Sequence, residues 1–145
     1  MISIGTDLVH ISAFAEQLAQ PGSSFMEVFS AGERRKANER QGSRYAEHLA
    51  GRWAAKESFI KAWSQAIYGQ PPVIAEEAVV WRDIEVRADA WGRVAIELAP
   101  GLAAVVRESI GEFSSSLSIS HDGDYAVATC VLSIRDCADR AVAVR

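Results

Sequence analysis

Four charges with chemical potential lie within a short stretch of this chain: Arg52, Lys56, Glu57 and Lys61. At 100° per residue, Trp53, Glu57, Lys61 and Ser64 share one face of a helix. Glu57 and Lys61 form an acid-before-base i,i+4 pair, which on a solvated helix contributes only about 0.3–0.5 kcal/mol. Arg52 and Lys56 occupy a neighbouring face at the same spacing. Their like charges repel, and an anion between them would reverse the sign. Trp53, Phe59, Ile60 and Trp63 read as packing residues. The segment 33–61 carries eight basic and four acidic residues, in a chain whose net charge is −4. This basic island is either a solvated helix face or a site for a small anion such as phosphate.

Two other stretches add polar groups. Asp7 ends the alternating run Ile2-Ser3-Ile4-Gly5-Thr6-Asp7. A carboxylate there serves as an N-cap for a following helix, or as an oxygen ligand for Mg²⁺, which commonly takes one or two carboxylates. Asp7 and Glu57 together would supply two. In Ser118-Ile119-Ser120-His121, Leu117, Ile119 and His121 share one strand face. His121 is either a satisfied core histidine or a functional group. Ser118 and Ser120 face the other way, toward water or a phosphate. There is no phosphate-binding glycine loop, no dinucleotide fingerprint, no GxSxG and no HExxH.

These groups need elements to hold them. The chain has 145 residues, 49% hydrophobic and 23% charged, the composition of a soluble globular protein. A single domain over 1–145 is expected. The run 125–134 is too short to span a bilayer, and Met1 leads into no signal-like segment. Cys130 and Cys137 match no metal or redox spacing and read as reduced thiols in a cytosol. The acidic balance and the lack of nucleic-acid motifs argue against nucleic-acid binding. A strand is predicted over 2–7 and a helix over 9–18, broken at Pro21-Gly22. Ser30 with Glu33 has the spacing of a capping box, starting a helix near Ala31. A long helix is predicted over 44–68, stopped by Pro71-Pro72. Strands follow at 78–80, 84–87 and 94–98, with a turn at 89–92, then a helix over 102–109. Strands at 116–121 and 125–134 flank the hairpin signal Asp122-Gly123. Helices early and antiparallel strands late make an α+β fold.

Three segments together resemble the stand-alone holo-acyl-carrier-protein synthases of bacteria, which are 4′-phosphopantetheinyl transferases. They are Ile4-Gly5-Thr6-Asp7-Leu8-Val9, the run from Gly51 through Lys56-Glu57 to Lys61-Ala62, and Ser118-Ile119-Ser120-His121-Asp122 with Tyr125-Ala126-Val127-Ala128. The resemblance implies an antiparallel sheet packed on a long helix, assembled as a homotrimer with a site at each subunit interface. It implies transfer of phosphopantetheine from coenzyme A to a serine of an apo acyl carrier protein, releasing adenosine 3′,5′-bisphosphate, in the cytoplasm and for fatty-acid synthesis. It makes Asp7 and Glu57 the Mg²⁺ ligands and Lys61 the lysine beside the pyrophosphate. Glu57 is then the candidate proton acceptor. Arg52, Lys56, Ser118, Ser120 and His121 fall around the nucleotide and its phosphates.

One departure bears on the partner. From His10 to Ala31 there is no Lys or Arg, where members of this family acting on a small acidic carrier often have a basic helix. The preferred partner is then expected to be a carrier domain within a large fatty-acid synthase, docking through Phe25, Met26 and Phe29. The run Arg34-Arg35-Lys36 is the alternative patch. The rival reading is a non-catalytic trimeric module that binds coenzyme A or docks a carrier. Its mark would be loss of Asp7, Glu57 or Lys61, and all three are present.

Overall fold

A computed structural model describes residues 1–135, so Cys137 lies outside the described residues. The first strand, β1 (Ile2–His10), alternates throughout: Ser3, Gly5, Asp7 and Val9 are buried and the even-numbered residues are exposed. It runs three residues beyond the expected 2–7, because β5 (Tyr125–Ile134) pairs with it along its whole length, from Ile2 opposite Ser133 to His10 opposite Tyr125. That ladder satisfies the backbone and overrides the helical pattern that begins at Val9. Helix α1 (Ile11–Ala19) starts instead at the strand's end, with no side-chain cap, so Asp7 is not its N-cap.

A 3-10 turn at Phe25–Val28 leads to α2 (Ala31–Asn38). Ser30 Oγ accepts the Glu33 backbone N–H at 3.2 Å, half of the expected capping box. The Glu33 side chain turns inward rather than back onto Ser30. Helix α3 (Ser43–Ala66) is the long element, beginning after Gly42 at φ 59°. Beyond it, 3-10 turns at Glu76–Ala78 and Trp81–Asp83 occupy the region where 78–80 reads as a strand. That stretch packs Val79 against the core without a ladder partner. The hairpin β2 (Ile84–Ala88) and β3 (Val94–Leu98) forms its own two-stranded sheet. Its turn is closed by Asp89, which accepts the N–H groups of Trp91 and Arg93. Helix α4 (Pro100–Ile110) and strand β4 (Phe113–Asp122) follow.

The main sheet is antiparallel in the order β1-β5-β4. Its inner face lies on α3, and two apolar clusters fill the layer between them. One holds Val9, Phe14, Phe29, Leu49 and Ala128; the other holds Phe59, Trp63, Ile84, Val106 and Leu132. Contact between β1 and α3 is closest at Gly5. A Cβ there would lie 1.9 Å from the Ser58 carbonyl oxygen and 2.4 Å from the Ala62 nitrogen. Both obstacles are helix backbone, which cannot rotate aside. Gly5→Ala is therefore expected to lower stability by about 3 kcal/mol or more, read as a shift in the urea unfolding midpoint. An unchanged midpoint would mean that strand and helix stand farther apart.

Candidate active site

The close approach at Gly5 has a direct result two residues on. Asp7, on the same buried face of β1, is delivered to the side of α3 that carries Glu57 and Lys61. Lys61 Nζ lies 2.7 Å from Asp7 Oδ1 and donates also to the Thr6 carbonyl at 3.3 Å. Its side chain is 54% exposed, whereas that of Asp7 is 8% exposed. The Glu57 carboxyl is close enough to Asp7 for the two acids to influence each other. Burial first, then the neighbouring Asp7 charge, pushes the Glu57 carboxyl up to about 7, against the pull of Lys61. The Asp7 bond holds the Lys61 ammonium above its usual range. Asp7 Oδ2 is buried and has no hydrogen-bond partner.

Two carboxylates forced together with one lysine leave a surplus of negative charge, and an unpartnered oxygen inside it. That donor set suits a hard divalent cation. Among the described residues no group of three or more His, Cys, Asp or Glu side chains converges, so two carboxylates would be its protein ligands. Beside them opens a cavity of about 390 Å³. Its lining combines Glu57, Lys61 and Ser64 with Ile60 and Trp63 of α3, and adds Trp81 and residues between Pro72 and Val79 from the chain beyond the helix. A polar, ionic rim thus leads to an apolar interior.

The remaining expected site residues are dispersed. Arg52 is half-buried, and burial with the nearby Arg40 lowers its affinity for a proton. Lys56 does not share an anion with Arg52. It is fully buried, its Nζ 2.8 Å from Glu33 Oε1 and bonded to the Trp81 and Ile84 carbonyls. All three ammonium donors are consumed, so the placement of Lys56 at a phosphate is corrected. Ser118 and Ser120 project from the outer sheet face, away from Asp7. His121 is exposed rather than a core residue, its Nε2 3.5 Å from Glu47 Oε1 where the sheet passes the beginning of α3. One chain by itself therefore does not gather Ser118, Ser120 and His121 with Glu57. Phe29 is fully buried and Phe25 packs edge-on against Phe14 and Trp53 at 5.5 and 5.1 Å. A docking surface built on Phe29 is thereby ruled out. Cys130 is buried, its thiol pushed up to about 12 by desolvation, as suits a packing residue.

Comparison with known proteins decides the family. The sequence model of the 4′-phosphopantetheinyl transferase superfamily matches residues 3–130. The chain belongs to that superfamily. A holo-[acyl-carrier-protein] synthase of Corynebacterium glutamicum (strain R) is 98% identical over 135 residues, covering 93% of this chain and all of that protein. A Chronobacterium ammoniagenes ACPS–CoA complex superposes with TM-score 0.88 at 60% identity, covering 94% of this chain and 99% of the other. The acyl carrier protein synthase of Mycobacterium tuberculosis superposes with TM-score 0.69 at 38% identity, covering 92% and 97%. The chain is thus a transferase of the holo-[acyl-carrier-protein] synthase type.

Sequence reasoning found the ionic rim of this transferase but missed two buried polar residues elsewhere in the fold. Glu33 was legible only as half of a cap. Nothing in its spacing signals that it faces Lys56, 23 positions on. His48 is buried on α3 with Nε2 unpartnered, and burial with Arg52 pushes it down to about 3. A single buried histidine leaves no sequence pattern.

The Glu57 shift has a measurable consequence. Its carboxyl ionises at about 7 in the folded protein and near the ordinary 4.5 when unfolded. Between those values the folded state binds more protons, so Glu57 subtracts stability as pH rises through about 7. In the metal-free protein, Glu57→Gln is expected to melt at an increasingly higher temperature than the wild type across that window. A constant difference in Tm would contradict the shift.

Proposed function

We propose that this chain transfers 4′-phosphopantetheine from coenzyme A to a serine of an acyl carrier protein or carrier domain, releasing adenosine 3′,5′-bisphosphate, in the cytoplasm for fatty-acid biosynthesis. The observation that carries the reading is the meeting of Asp7, Glu57 and Lys61 at the rim of an apolar cavity. The whole sequence of 1–145 is read as one catalytic domain. Among the described residues no helix is long and apolar enough to cross a membrane.

Asp7 and Glu57 would hold Mg²⁺, and the orphaned Asp7 Oδ2 supports that assignment. When bound, Mg²⁺ would neutralise charge on the pyrophosphate. Lys61, half exposed at the rim, would hold the phosphoryl oxygens on which negative charge gathers. Glu57, ionising near neutrality, suits the proton of the attacking serine hydroxyl. The new bond joins that serine oxygen to phosphorus. The bond that breaks releases the adenosine bisphosphate, which carries away the electron pair. The apolar cavity beside the rim suits the pantetheine arm, which has little charge to solvate.

A homotrimer fits the placement of the other groups. Ile2, Ile4, Leu8 and Tyr125 are each at least half exposed on the outer sheet face. A neighbour packed there would bury this surface and bring its own copy of Asp7, Glu57 and Lys61 toward Ser118, Ser120 and His121. Arg52, half-buried beside Arg40, remains a candidate phosphate contact. The carrier partner is read as a domain of a synthase, because α1 carries no Lys or Arg.

Incubation of an apo carrier domain with this protein, coenzyme A and Mg²⁺ is expected to add one phosphopantetheine to its intact mass, and EDTA to abolish the gain. Asp7→Ala and Lys61→Ala are each expected to lower kcat by about 10²-fold. Turnover of Asp7→Ala that still required Mg²⁺ in full would remove Asp7 from the metal. Ile4→Glu is expected to give a monomer by light scattering, with transfer lost. An active monomer would place the complete site within one chain.

A further inference from the structure

Lys56 and Glu33 are the most thoroughly buried ion pair among the described residues, both side chains being wholly inaccessible to solvent. Neither takes part in the chemistry assigned above. Burying two charges in this way is often no better for stability than filling the space with apolar side chains. The bonds they make are therefore more telling than their charges. Lys56 Nζ spends one donor on Glu33 Oε1 and two on the backbone carbonyls of Trp81 and Ile84. Glu33 Oε1 also accepts the Val86 N–H at 3.2 Å. A single contact thus joins α2, the middle of α3, the 3-10 turn at Trp81–Asp83 and the start of β2.

That turn contributes Trp81 to the lining of the cavity. Trp81 lines the cavity together with Glu57, Ile60 and Lys61, and its ring packs on Trp53 with centroids 4.7 Å apart. The segment before it belongs to no ladder; its described backbone bonds are local, such as Ala78 N to Ala75 O and Asp83 N to Val80 O. Lys56 precedes Glu57 on the same helix. Its two carbonyl bonds fix how far the Trp81 wall stands from the residues of the ionic rim. We propose that Lys56, held by Glu33, is a positioning residue for coenzyme A binding: it pins the Trp81 wall to α3 and so sets the width of the cavity that receives the arm. This rests on the reading of that cavity given under the proposed function. Burial raises the Glu33 carboxyl and lowers the Lys56 ammonium, each opposed by its partner's charge.

The test compares steady-state kinetics with coenzyme A as the varied substrate. In K56M/E33M both charges leave together, which spares the fold an unpaired buried ion. Its KM for coenzyme A is expected to rise about tenfold with kcat within about twofold, since the ionic rim is untouched. E33Q keeps an acceptor for both Lys56 and Val86 and is expected to restore KM to near the wild-type value. Should the double variant fail to fold, E33D takes its place. One methylene shorter, it cannot reach both partners, and its KM is expected to rise about threefold. A folded K56M/E33M with wild-type KM overturns the proposal, as does a fall in kcat with KM unchanged. An unchanged KM in E33D overturns it in the other case. Wild-type protein that neither binds nor consumes coenzyme A would refute the transferase reading itself, a distinct outcome seen before any variant is made.

Discussion

The rest of the structure depends on one steric condition, that β1 lies directly on the backbone of α3. Helix and sheet ordinarily keep a layer of side chains between them. At Gly5 that layer is missing, and strand atoms approach the Ser58 carbonyl and Ala62 nitrogen. The strand then runs close enough that two side chains of α3 close its free edge. Gln65 accepts the Ile4 N–H at 2.9 Å, and Lys61 donates to the Thr6 carbonyl. An exposed edge is thereby blunted, and the residue that blunts it is also the lysine of the ionic rim. Asp7 is fixed by the same contact. Its carboxylate has no freedom to retreat from Glu57, which is why both remain near each other despite their charge.

The molecule holds two acid–lysine groupings on adjacent faces of one helix, and it treats them differently. Glu33 and Lys56 are matched one to one and sealed from water. Asp7, Glu57 and Lys61 are not matched: two acids share one exposed base, whereas the unpartnered carboxylate oxygen is common to both groupings, Asp7 Oδ2 here and Glu33 Oε2 there. The first arrangement is spent on geometry. The second keeps an unbalanced charge where a ligand can reach it. Consecutive residues, Lys56 and Glu57, belong to different systems because a helix turns 100° between them.

Much of this was legible beforehand, for identifiable reasons. Glu57 and Lys61 share a face by helical arithmetic alone, and the alternation of β1 places Asp7 opposite Leu8. The order of helices and strands gave the α+β class. What escaped was set by tertiary partners. Nothing within 2–10 reveals that β5 extends the strand through His10, and nothing within 78–80 reveals that Val79 and Val80 lack a ladder partner and lie between two 3-10 turns instead. The meeting of Asp7 with Glu57 came from resemblance, not from spacing, because 50 residues separate them. Lys56 was misread for the opposite reason: its charge was counted as available when its partner, Glu33, lay out of sight in another helix. Phe29 likewise looked like a surface anchor beside Phe25 and proved to be core.

The register of the main sheet bears on how the protein is made. Ile2 pairs with Ser133 and Asp7 with Ala128, so the first strand to leave the ribosome waits for nearly the last. Contacts that close so long a loop form late and slowly. During synthesis, α3 can coil while β1 has no ladder to join, and Asp7 has no fixed place beside Glu57. The carboxylate pair is therefore among the final features to assemble. A chain that stalls short of β5 can hold Glu57 and Lys61 on one helix face, but it has no ladder to bring Asp7 beside them.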